Sequence, residues 1–426
     1  MNKPKLVLIG NGMAGAKLLE ELMISCPDQY DISVFGDEPY GNYNRIMLSP
    51  LLAGEKTLEQ IMIFDRQWYK DHRIALHAGA NKLITKIDRI KKLVITTDGS
   101  STPYDRLIIA TGSKPFILPI PGTNLNGVMS FRDIADVENM IVAASSHKKA
   151  VVIGAGLLGL EAAMGLSGRG MDVTVIHNND IPLNRQLDQE AGELLKQELS
   201  SRGLSFKMSA VTEKIVGDES GHVKKLVFKD GSEIETDLVI MAIGIRPNFE
   251  LAKQAGVHCE RGIMVSDTLQ TYDPTIYALG ECIQHRGDTF GMVAPLYDQA
   301  RVLANQLSEH GVAIFKTLPT ATKLKVTGIN LFSVGDFLGD ADCENIYYRD
   351  KSQGIYKKII IKDSQVQGVV LYGDTQEGGF YHELIDNKIN ISELRPYLMF
   401  GRALCEEQLK NNLSMSNRRN KNSVAA

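Results

Sequence analysis

Two glycine-rich segments with the same spacing constrain the fold of this chain more than any other feature. Residues 10–15 read GNGMAG and follow the apolar run 6–9, while residues 154–159 read GAGLLG and follow the apolar run 150–153. Glycine at these places lets the chain turn tightly, lets the backbone approach a pyrophosphate without a Cβ in the way, and directs free helix N–H groups at it. One such segment is weak evidence, because a glycine-rich turn after a strand is common. Two of them indicate two dinucleotides bound by one chain.

Length and composition restrict the class of protein. At 426 residues the chain is too long for one core and should form two or three domains. Its formal net charge of -4 gives no sign of nucleic-acid binding. The most apolar stretch, 150–166, contains Glu161 and is too short and too interrupted for a membrane span. The first strand begins so early that we expect no signal peptide, and hence a cytoplasmic protein without nucleic-acid or membrane partners.

The five cysteines are widely scattered and form no Cys-x-x-Cys pair: Cys26, Cys259, Cys282, Cys343 and Cys405. This pattern predicts no zinc, iron–sulfur or other metal site and no dithiol motif. It also predicts reduced thiols in the cytosol.

The N-terminal third has the pattern of a dinucleotide-binding unit. We predict a strand, the first glycine turn, a helix over 16–23 and a second strand over 31–35, which ends at Asp37 and Glu38. An acid at this place can hold an adenosine ribose; the alternative is a surface turn. The segment 104–112 is predicted as a buried strand that leaves through Ala110, Thr111 and Gly112. The proline-rich stretch 115–121 then indicates a domain boundary.

The rest of the chain repeats this plan and then adds a different one. A second dinucleotide unit begins at Lys149, and its last strand, 238–243, leaves through Gly244. We expect the chain to return to the first domain with a strand at 275–281 and a helix from about Pro295 to Leu307. Short strands and one helix follow. The predicted organisation is a discontinuous first domain (1–113 and 245–315), a second domain (114–244), a C-terminal α+β domain (316–400) and a disordered polar tail (411–426).

The order of these motifs resembles the two-dinucleotide flavoprotein reductases. The motifs are Gly-x-Gly-x-x-Gly at 10–15, Ala-Thr-Gly at 110–112, the second glycine segment with Glu161, and Tyr-Ala-x-Gly-Glu at 277–281. Within that class the chain is similar in particular to the flavin-bearing N-terminal region of the large subunit of assimilatory NAD(P)H nitrite reductase. The segments that carry this similarity include 156–163, 278–282, 293–295 and 323–325. Rubredoxin–NAD reductases are similar but more distant.

Two departures from these relatives matter, and a third contrast concerns the flavin disulfide reductases. The nitrite reductase subunit continues into cysteine-rich iron–sulfur and sirohaem modules, whereas this chain has only Cys405 near its end, so we expect that it does not reduce nitrite by itself. Rubredoxin-reductase relatives usually carry a lysine near the flavin where this chain has Pro50, which leaves the flavin potential open. Flavin disulfide reductases need a redox cysteine early in the first domain, and 43–49 contains none. Cys282 is expected to be a buried structural thiol.

The resemblance implies hydride transfer from a nicotinamide to FAD, and it assigns residues to both cofactors. The residues assigned to FAD are Gly10, Gly12, Ala14, Gly15, Asp37, Glu38, Arg45, Ile84, Ala110, Thr111, Gly112, Arg132, Gly280, Glu281, Ala294, Pro295 and Lys325. Those assigned to NAD(P) are Gly154, Gly156, Leu157, Leu158, Gly159, Glu161, His177 and Gly244.

Several of these roles have structural alternatives. Glu281, expected to accept from a ribityl or ribose hydroxyl, could instead cap a loop. Arg45, expected at the flavin phosphates, could form a surface ion pair, and Lys325 could be solvated. The helix after Pro295 is expected to direct its N-terminus at the flavin. Glu161, near the nicotinamide in similar enzymes, could merely be a favourable charge near a helix N-terminus.

His177 stands where NADH-specific enzymes place an acid. A carboxylate at the end of the second strand binds the ribose 2′-hydroxyl and repels a 2′-phosphate. Here the strand 173–176 is followed by His177, with Arg185 a few residues on. Nothing there repels a phosphate, and a histidine can be cationic. The retained third glycine and the lack of an arginine at the strand end itself argue against NADPH, so the choice between NADH and NADPH stays open, as does a plain surface histidine.

The function favoured by the sequence is an NAD(P)H-dependent FAD reductase that passes electrons to a separate redox protein. Candidate acceptors are a nitrite or nitrate reductase catalytic subunit, a rubredoxin or a ferredoxin. An NAD(P)H oxidase that uses oxygen is a second hypothesis, although the cysteine usual in that class is missing. A third is a non-catalytic flavoprotein that resembles apoptosis-inducing factor. The oligomeric state, including a homodimer, is open.

Overall fold

The computed structural model describes residues 3–308, 311–317, 321–326 and 328–407, with the backbone alone for 322–326. These residues form two compact units. The first contains 3–154, 162–173 and 212–317, and the second contains 155–161, 174–211 and the described residues from 321 onwards. Within the described part of the chain, no helix is both long enough and apolar enough to cross a membrane.

The strands are numbered in chain order. Those of the N-terminal half are β1 (Lys5–Ile9), β2 (Asp31–Gly36), β3 (Asn42–Tyr43), β4 (Met62–Phe64), β5 (Ala75–Ala78), β6 (Ile84–Asp88), β7 (Leu93–Thr96), β8 (Ser101–Pro103), β9 (Arg106–Ile109), β10 (Ser113–Pro115), β11 (Val128–Ser130), β12 (Lys149–Ile153), β13 (Asp172–Ile176) and β14 (Ser205–Lys207). Those that follow are β15 (Thr212–Gly217), β16 (Val223–Phe228), β17 (Glu233–Glu235), β18 (Leu238–Met241), β19 (Ile245–Pro247), β20 (Ile263–Met264), β21 (Ile276–Ala278), β22 (Ile283–His285), β23 (Asp288–Thr289), β24 (Thr322–Val326), β25 (Ile329–Gly335), β26 (Glu344–Asp350), β27 (Ile355–Lys362) and β28 (Gln365–Tyr372).

The α-helices are α1 (Met13–Ser25), α2 (Leu48–Ala53), α3 (Leu58–Ile61), α4 (Arg66–Asp71), α5 (Ile134–Ser146), α6 (Leu157–Gly168), α7 (Gln189–Ser201), α8 (Glu250–Gln254), α9 (Val293–Leu307) and α10 (Gly378–Asp386). Short 3₁₀ turns lie at Arg45–Met47, Ala80–Lys82 and Leu398–Phe400.

The first unit is built around a five-stranded parallel sheet with the order β21-β9-β1-β2-β5. Strand β1 lies in its middle, and four of its five residues are buried, as expected for a parallel strand covered on both faces. Helices α1 and α9 pack against each other and contribute leucines to the same core as the sheet. Strand β21 pairs with β9, so the chain does return to this sheet late in the sequence, as predicted.

The helix after the first glycine turn is longer than expected. It was predicted over 16–23 but begins at Met13, directly after Gly12. The sequence pattern placed the start of the helix too late because Gly15, a glycine of the fingerprint, lies in the first turn of the helix. Buried Ala14, Gly15 and Ala16 allow this turn to pack closely on the sheet.

The first unit also contains a second group of parallel strands, which run in the order β11-β18-β12. The predicted strand 238–243 is observed at Leu238–Met241. Three antiparallel strands, β15, β16 and β17, follow one another in sequence and in space. The segments that follow Gly112 and Gly244 pair with each other as the antiparallel ribbon β10-β19.

The second unit combines the parallel pair β13-β14 and helix α7 with a five-stranded antiparallel sheet, ordered β24-β25-β28-β27-β26. On one face of β27, Ile359 and Ile361 join a core with helix α10. On the other face, the Tyr356 hydroxyl and the Lys358 amine meet the carboxylate of Asp188, which also caps α7. Because side chains alternate along a strand, one strand serves both contacts. The tail predicted to be disordered, 411–426, lies outside the described residues.

Candidate dinucleotide-binding sites

The three glycines of the first fingerprint differ in what surrounds them. Gly10 has a φ of +108°, and a Cβ built there would lie 2.1 Å from the carbonyl oxygen of Ala110 at the end of β9. A Cβ on Gly15 would lie 2.7 Å from the Gly10 carbonyl oxygen. A Cβ on Gly12 would meet no atom within 4 Å. Gly10 and Gly15 are therefore required by the fold, whereas Gly12 borders open space in front of the helix.

The second fingerprint repeats this arrangement. Gly154 has a φ of +114°, and its Cβ would lie 2.3 Å from the carbonyl oxygen of Ala242 at the end of β18. A Cβ on Gly156 would again meet nothing within 4 Å. Leu157, Leu158 and Gly159 form the first turn of α6. Both fingerprints thus have a glycine locked against the neighbouring strand and a second glycine beside free space.

Asp37 and Glu38, the two acids after β2, differ in burial and in hydrogen bonding. Asp37 is exposed. Glu38 is half-buried, accepts a hydrogen bond from the Tyr43 hydroxyl at 2.7 Å, and pairs with the guanidinium of Arg45 at 2.5 Å. The pKa of Glu38 is raised, since burial disfavours its charged form and outweighs the opposing effects of Arg45 and Tyr43.

Glu281 lies just beyond β21 and is also paired with an arginine. Its carboxylate accepts hydrogen bonds from the guanidinium of Arg132 and, at 2.8 Å, from the Ser113 hydroxyl. Arg45 donates to the backbone carbonyl of Arg132 at 2.9 Å. The arrangement therefore joins the two predicted acids, Glu38 and Glu281, through two arginines, all within the first unit.

The small-residue exit of β9 is tied to the second exit. Thr111 donates from its hydroxyl to the carbonyl of Asn248 at 2.5 Å, and the Asn248 N–H donates to the Gly112 carbonyl at 2.9 Å. Ala110 is buried. Gly244 has a φ of +123° and open space where a side chain would lie.

The remaining residues predicted for the first site are less informative. Ala294 and Pro295 lie in the first turn of α9, where proline is tolerated because the N–H it lacks would have no partner within the helix. Ile84, the first residue of β6, is buried in the core. Lys325 belongs to β24, and its side chain lies outside the described residues.

His177 directly follows β13 and makes two contacts within the second unit. Its Nδ1 accepts from the Ala155 N–H of the glycine turn at 3.5 Å, and its Nε2 lies 3.0 Å from the Asn184 side-chain oxygen. Both ring nitrogens are therefore in contact with residues of the second unit. Glu161 lies on α6 two residues beyond Gly159.

Burial argues against a reactive thiol at four of the five cysteines, Cys26, Cys259, Cys282 and Cys405. Cys282 is fully buried, its Sγ donates to the Leu279 carbonyl at 3.2 Å, and burial raises its pKa to about 11. Burial also raises the pKa of Cys259 to about 11 and that of Cys26 and Cys405 above the usual range. Across the described residues, no group of three or more histidine, cysteine, aspartate or glutamate side chains could hold a metal ion.

Sequence reasoning missed several residues that bind the motif segments. Asn42 donates from its side chain to the Asn11 carbonyl in the first glycine turn at 2.8 Å, and the Tyr69 hydroxyl donates to the Asn11 side chain at 2.7 Å. Gln299 accepts from the Gly280 N–H at 2.7 Å. Of these residues, only Gln299 could have been noticed in the sequence, because it is a polar residue at a position of α9 where the pattern predicts an apolar one.

A few buried polar atoms are left without a hydrogen-bond partner. Among the described residues they are Asn42 Oδ1, Tyr104 OH, Arg132 Nε, Thr212 Oγ1 and Gln299 Nε2. Asn42, Arg132 and Gln299 each bind a segment of the first candidate site. Buried polar atoms are nearly always paired in folded proteins, so the unpaired atoms of Asn42 and Arg132 suit a polar ligand.

Comparison with known proteins decides the family. The model of the family described as pyridine nucleotide-disulphide oxidoreductase matches residues 4–305. The chain belongs to this family. Residues 320–389 match the model of the rubredoxin NAD+ reductase C-terminal domain. The predicted fold class and the predicted oxidoreductase class are confirmed.

Individual relatives agree with this assignment. The chain is 47% identical over 393 residues to the nitrite reductase [NAD(P)H] of Bacillus subtilis, covering 92% of this chain and 48% of that protein. It is 31% identical over 378 residues to the rubredoxin-NAD(+) reductase of Acinetobacter baylyi, covering 87% and 94%. A putidaredoxin reductase solved in a covalent complex with putidaredoxin has a TM-score of 0.84 at 25% identity, covering 96% and 99%. The chain spans about half the length of the first curated relatives it matches.

Proposed function

We propose that this chain is an FAD-dependent reductase that takes electrons from NAD(P)H and passes them to a separate redox protein. The observation that carries the proposal is the repeated glycine geometry. In each fingerprint one glycine is locked against the neighbouring strand, and the next borders open space at a helix N-terminus. This is the arrangement in which backbone N–H groups bind a pyrophosphate, and the family uses two dinucleotides.

The first site has the residues that an FAD requires. A pyrophosphate would lie against Gly12, where any side chain would fill its space. Glu38 and Glu281 are carboxylates that can accept from ribose and ribityl hydroxyls, and Arg45 and Arg132 are cations able to reach phosphate oxygens. The unpaired Asn42 Oδ1 and Arg132 Nε are a buried acceptor and a buried donor that a polar ligand would satisfy. The fit supports FAD at this site.

The flavin, when bound, would accept a hydride and release it as single electrons. The residues of the chain bind and orient it. Arg45 and Arg132 hold the carboxyl groups of Glu38 and Glu281 in place. The first turn of α9 presents backbone N–H groups and a partial positive charge, which favour negative charge on a neighbouring group. Neither role requires a thiol, in agreement with the raised pKa of Cys282.

The second site is proposed for NAD(P)H. Gly156 and the first turn of α6 would bind its pyrophosphate, with Glu161 near the nicotinamide by family resemblance. His177 would lie at the adenosine ribose. His177, which contacts Asn184, stands where a carboxylate would repel a 2′-phosphate. We therefore propose that both NADH and NADPH are used.

The electron acceptor is proposed to be a protein. Curated relatives include an assimilatory nitrate reductase electron transfer subunit of Bacillus subtilis, 43% identical over 377 residues, and a rubredoxin-NAD(+) reductase. A nitrite or nitrate reductase catalytic subunit, a rubredoxin and a ferredoxin are the candidates. We further propose a cytoplasmic protein with an FAD domain formed by 1–113 and 245–315, an NAD(P) domain at 114–244 and an α+β domain at 316–400. A homodimer is the oligomeric state to test.

The test is rapid mixing under anaerobic conditions. The purified protein should be yellow, should contain one FAD, and should lose its flavin absorbance within one mixing step with NADH or NADPH. Addition of a competent protein acceptor should restore the absorbance, whereas oxygen should restore it more slowly. A colourless protein that takes up no added FAD would refute the proposal, and reoxidation fastest with oxygen would favour an oxidase.

A further inference from the structure

The side chain of Gln299 is a buried polar group on the inner face of the amphipathic helix α9. It belongs to α9, has no exposed surface, and is flanked in the sequence by Asp298 and by Ala300, a residue of the core. Its Oε1 accepts the backbone N–H of Gly280 at 2.7 Å, while its Nε2 has no partner. The unpaired nitrogen of a buried amide carries a cost in stability, whereas the amide oxygen satisfies the buried Gly280 N–H, which a leucine would leave without an acceptor. Gln299 is therefore poorly explained as a packing residue.

The atom that Gln299 binds lies at a critical turn. Gly280 follows β21 and has a φ of +93°, a conformation that side chains rarely adopt. A Cβ on Gly280 would approach the Ala14 side chain, in the first turn of α1, at 3.2 Å. The turn is thus confined between the first glycine-rich helix and α9, and the Gly280 N–H has its acceptor in Gln299.

The residue that follows Gly280 is Glu281. Its carboxylate is held by Arg132 and by the Ser113 hydroxyl, and we have placed it at a hydroxyl of the flavin nucleotide. Any rotation of the peptide at Gly280 would move the start of Glu281. The Gly280 N–H lies in the Leu279–Gly280 peptide, so its acceptor on Gln299 fixes the peptide from which the chain enters the turn that carries Glu281.

We propose that Gln299 is a positioning residue for flavin binding, which acts through the Gly280–Glu281 turn. This inference rests on the proposed FAD site and names a residue in it that touches no reacting atom. The oxygen of the amide provides the function. The unpaired nitrogen is the cost in stability of having that oxygen at a buried position.

The experiment compares FAD affinity with stability of the same variants. Gln299→Leu removes the acceptor and should weaken FAD binding at least tenfold, measured by quenching of flavin fluorescence on titration of the apoprotein. The urea midpoint of the apoprotein should fall as well, because the buried Gly280 N–H loses its acceptor, whereas the control Gln306→Leu should leave the FAD affinity unchanged. Gln306 lies on the same helix, donates to the Ala313 carbonyl, and binds no motif residue.

Two further variants separate positioning from packing. Gln299→Glu keeps an oxygen acceptor in either protonation state, and it should bind FAD within about threefold of wild type. In a Glu281→Gln background, Gln299→Leu should cost much less than it does alone, because residues that act through one another are not additive. Gln299→Met replaces the leucine variant if the latter does not fold.

The outcomes distinguish this inference from the proposed function. If the wild-type protein binds no FAD, the proposed function fails first. If it binds FAD and Gln299→Leu binds it equally well, the inference alone is overturned. Full additivity with Glu281→Gln, or a glutamate variant as weak as the leucine variant, also overturns it.

Discussion

The sharpest prediction contrasts two glycines that lie two residues apart. Gly10→Ala should damage the fold, because its Cβ would lie 2.1 Å from the Ala110 carbonyl oxygen and its φ is +108°. Backbone strain of this kind costs about 1–3 kcal/mol, and an overlap that cannot relax costs about as much again. We expect the free energy of unfolding to fall by about 2–6 kcal/mol.

Gly12→Val should have the opposite profile. Gly12 has a φ of -79°, which valine adopts, and a Cβ there meets no protein atom within 4 Å. Replacing glycine by valine at a helix N-cap costs about 1 kcal/mol or less. The valine methyl groups would nevertheless occupy the space of the FAD pyrophosphate. The variant should therefore fold and remain colourless.

The assay measures both quantities for each variant. Urea denaturation of the apoprotein, followed by far-ultraviolet circular dichroism, gives the free energy of unfolding, and titration with FAD gives the dissociation constant. Gly156→Val is the matched variant in the second fingerprint, since its Cβ also meets nothing. It should bind FAD normally and fail to be reduced by NAD(P)H. A Gly12→Val protein with wild-type FAD affinity, or a Gly10→Ala protein with wild-type stability, would refute the reasoning.

Three further predictions follow from the second site and from the thiols. The kcat/KM values for NADPH and NADH should differ by no more than about tenfold, which corresponds to about 1.4 kcal/mol. His177→Glu should shift the preference towards NADH by weakening NADPH binding. A hundredfold preference for NADH in the wild type would contradict the placement of His177 at the ribose. Replacement of all five cysteines by serine or alanine should leave NAD(P)H-dependent dye reduction largely intact, and a loss traced to one cysteine in a variant that still binds flavin would be the contrary result. Cys282, with a pKa of about 11, is almost entirely a neutral thiol at pH 8, so iodoacetamide should label it only as the pH rises towards that value or after unfolding, as followed by mass spectrometry.

The local elements were predictable because their signals are local. An apolar run, a glycine turn and a helix follow one another within about thirty residues, which is the length of a βαβ unit. The strands at 31–35 and 173–176 were therefore expected, and they are observed as β2 and β13. The start of α1 was predicted three residues late, since glycine is a poor helix former and conceals the first turn.

The sequence by itself determined that the chain has two glycine turns built for dinucleotides and that no redox cysteine stands in the early segment. Only the tertiary structure decided how the site is held together. Arg132 and Glu281 form an ion pair although they are 149 positions apart, and the Gly280 N–H donates to the side chain of Gln299 on helix α9. Such pairs depend on which strands become neighbours, as when β21 joins β9, and a single sequence carries no periodic signal for that choice. The burial that raises the pKa of Glu38 and Cys282 has the same origin, because desolvation is produced by packing between distant segments.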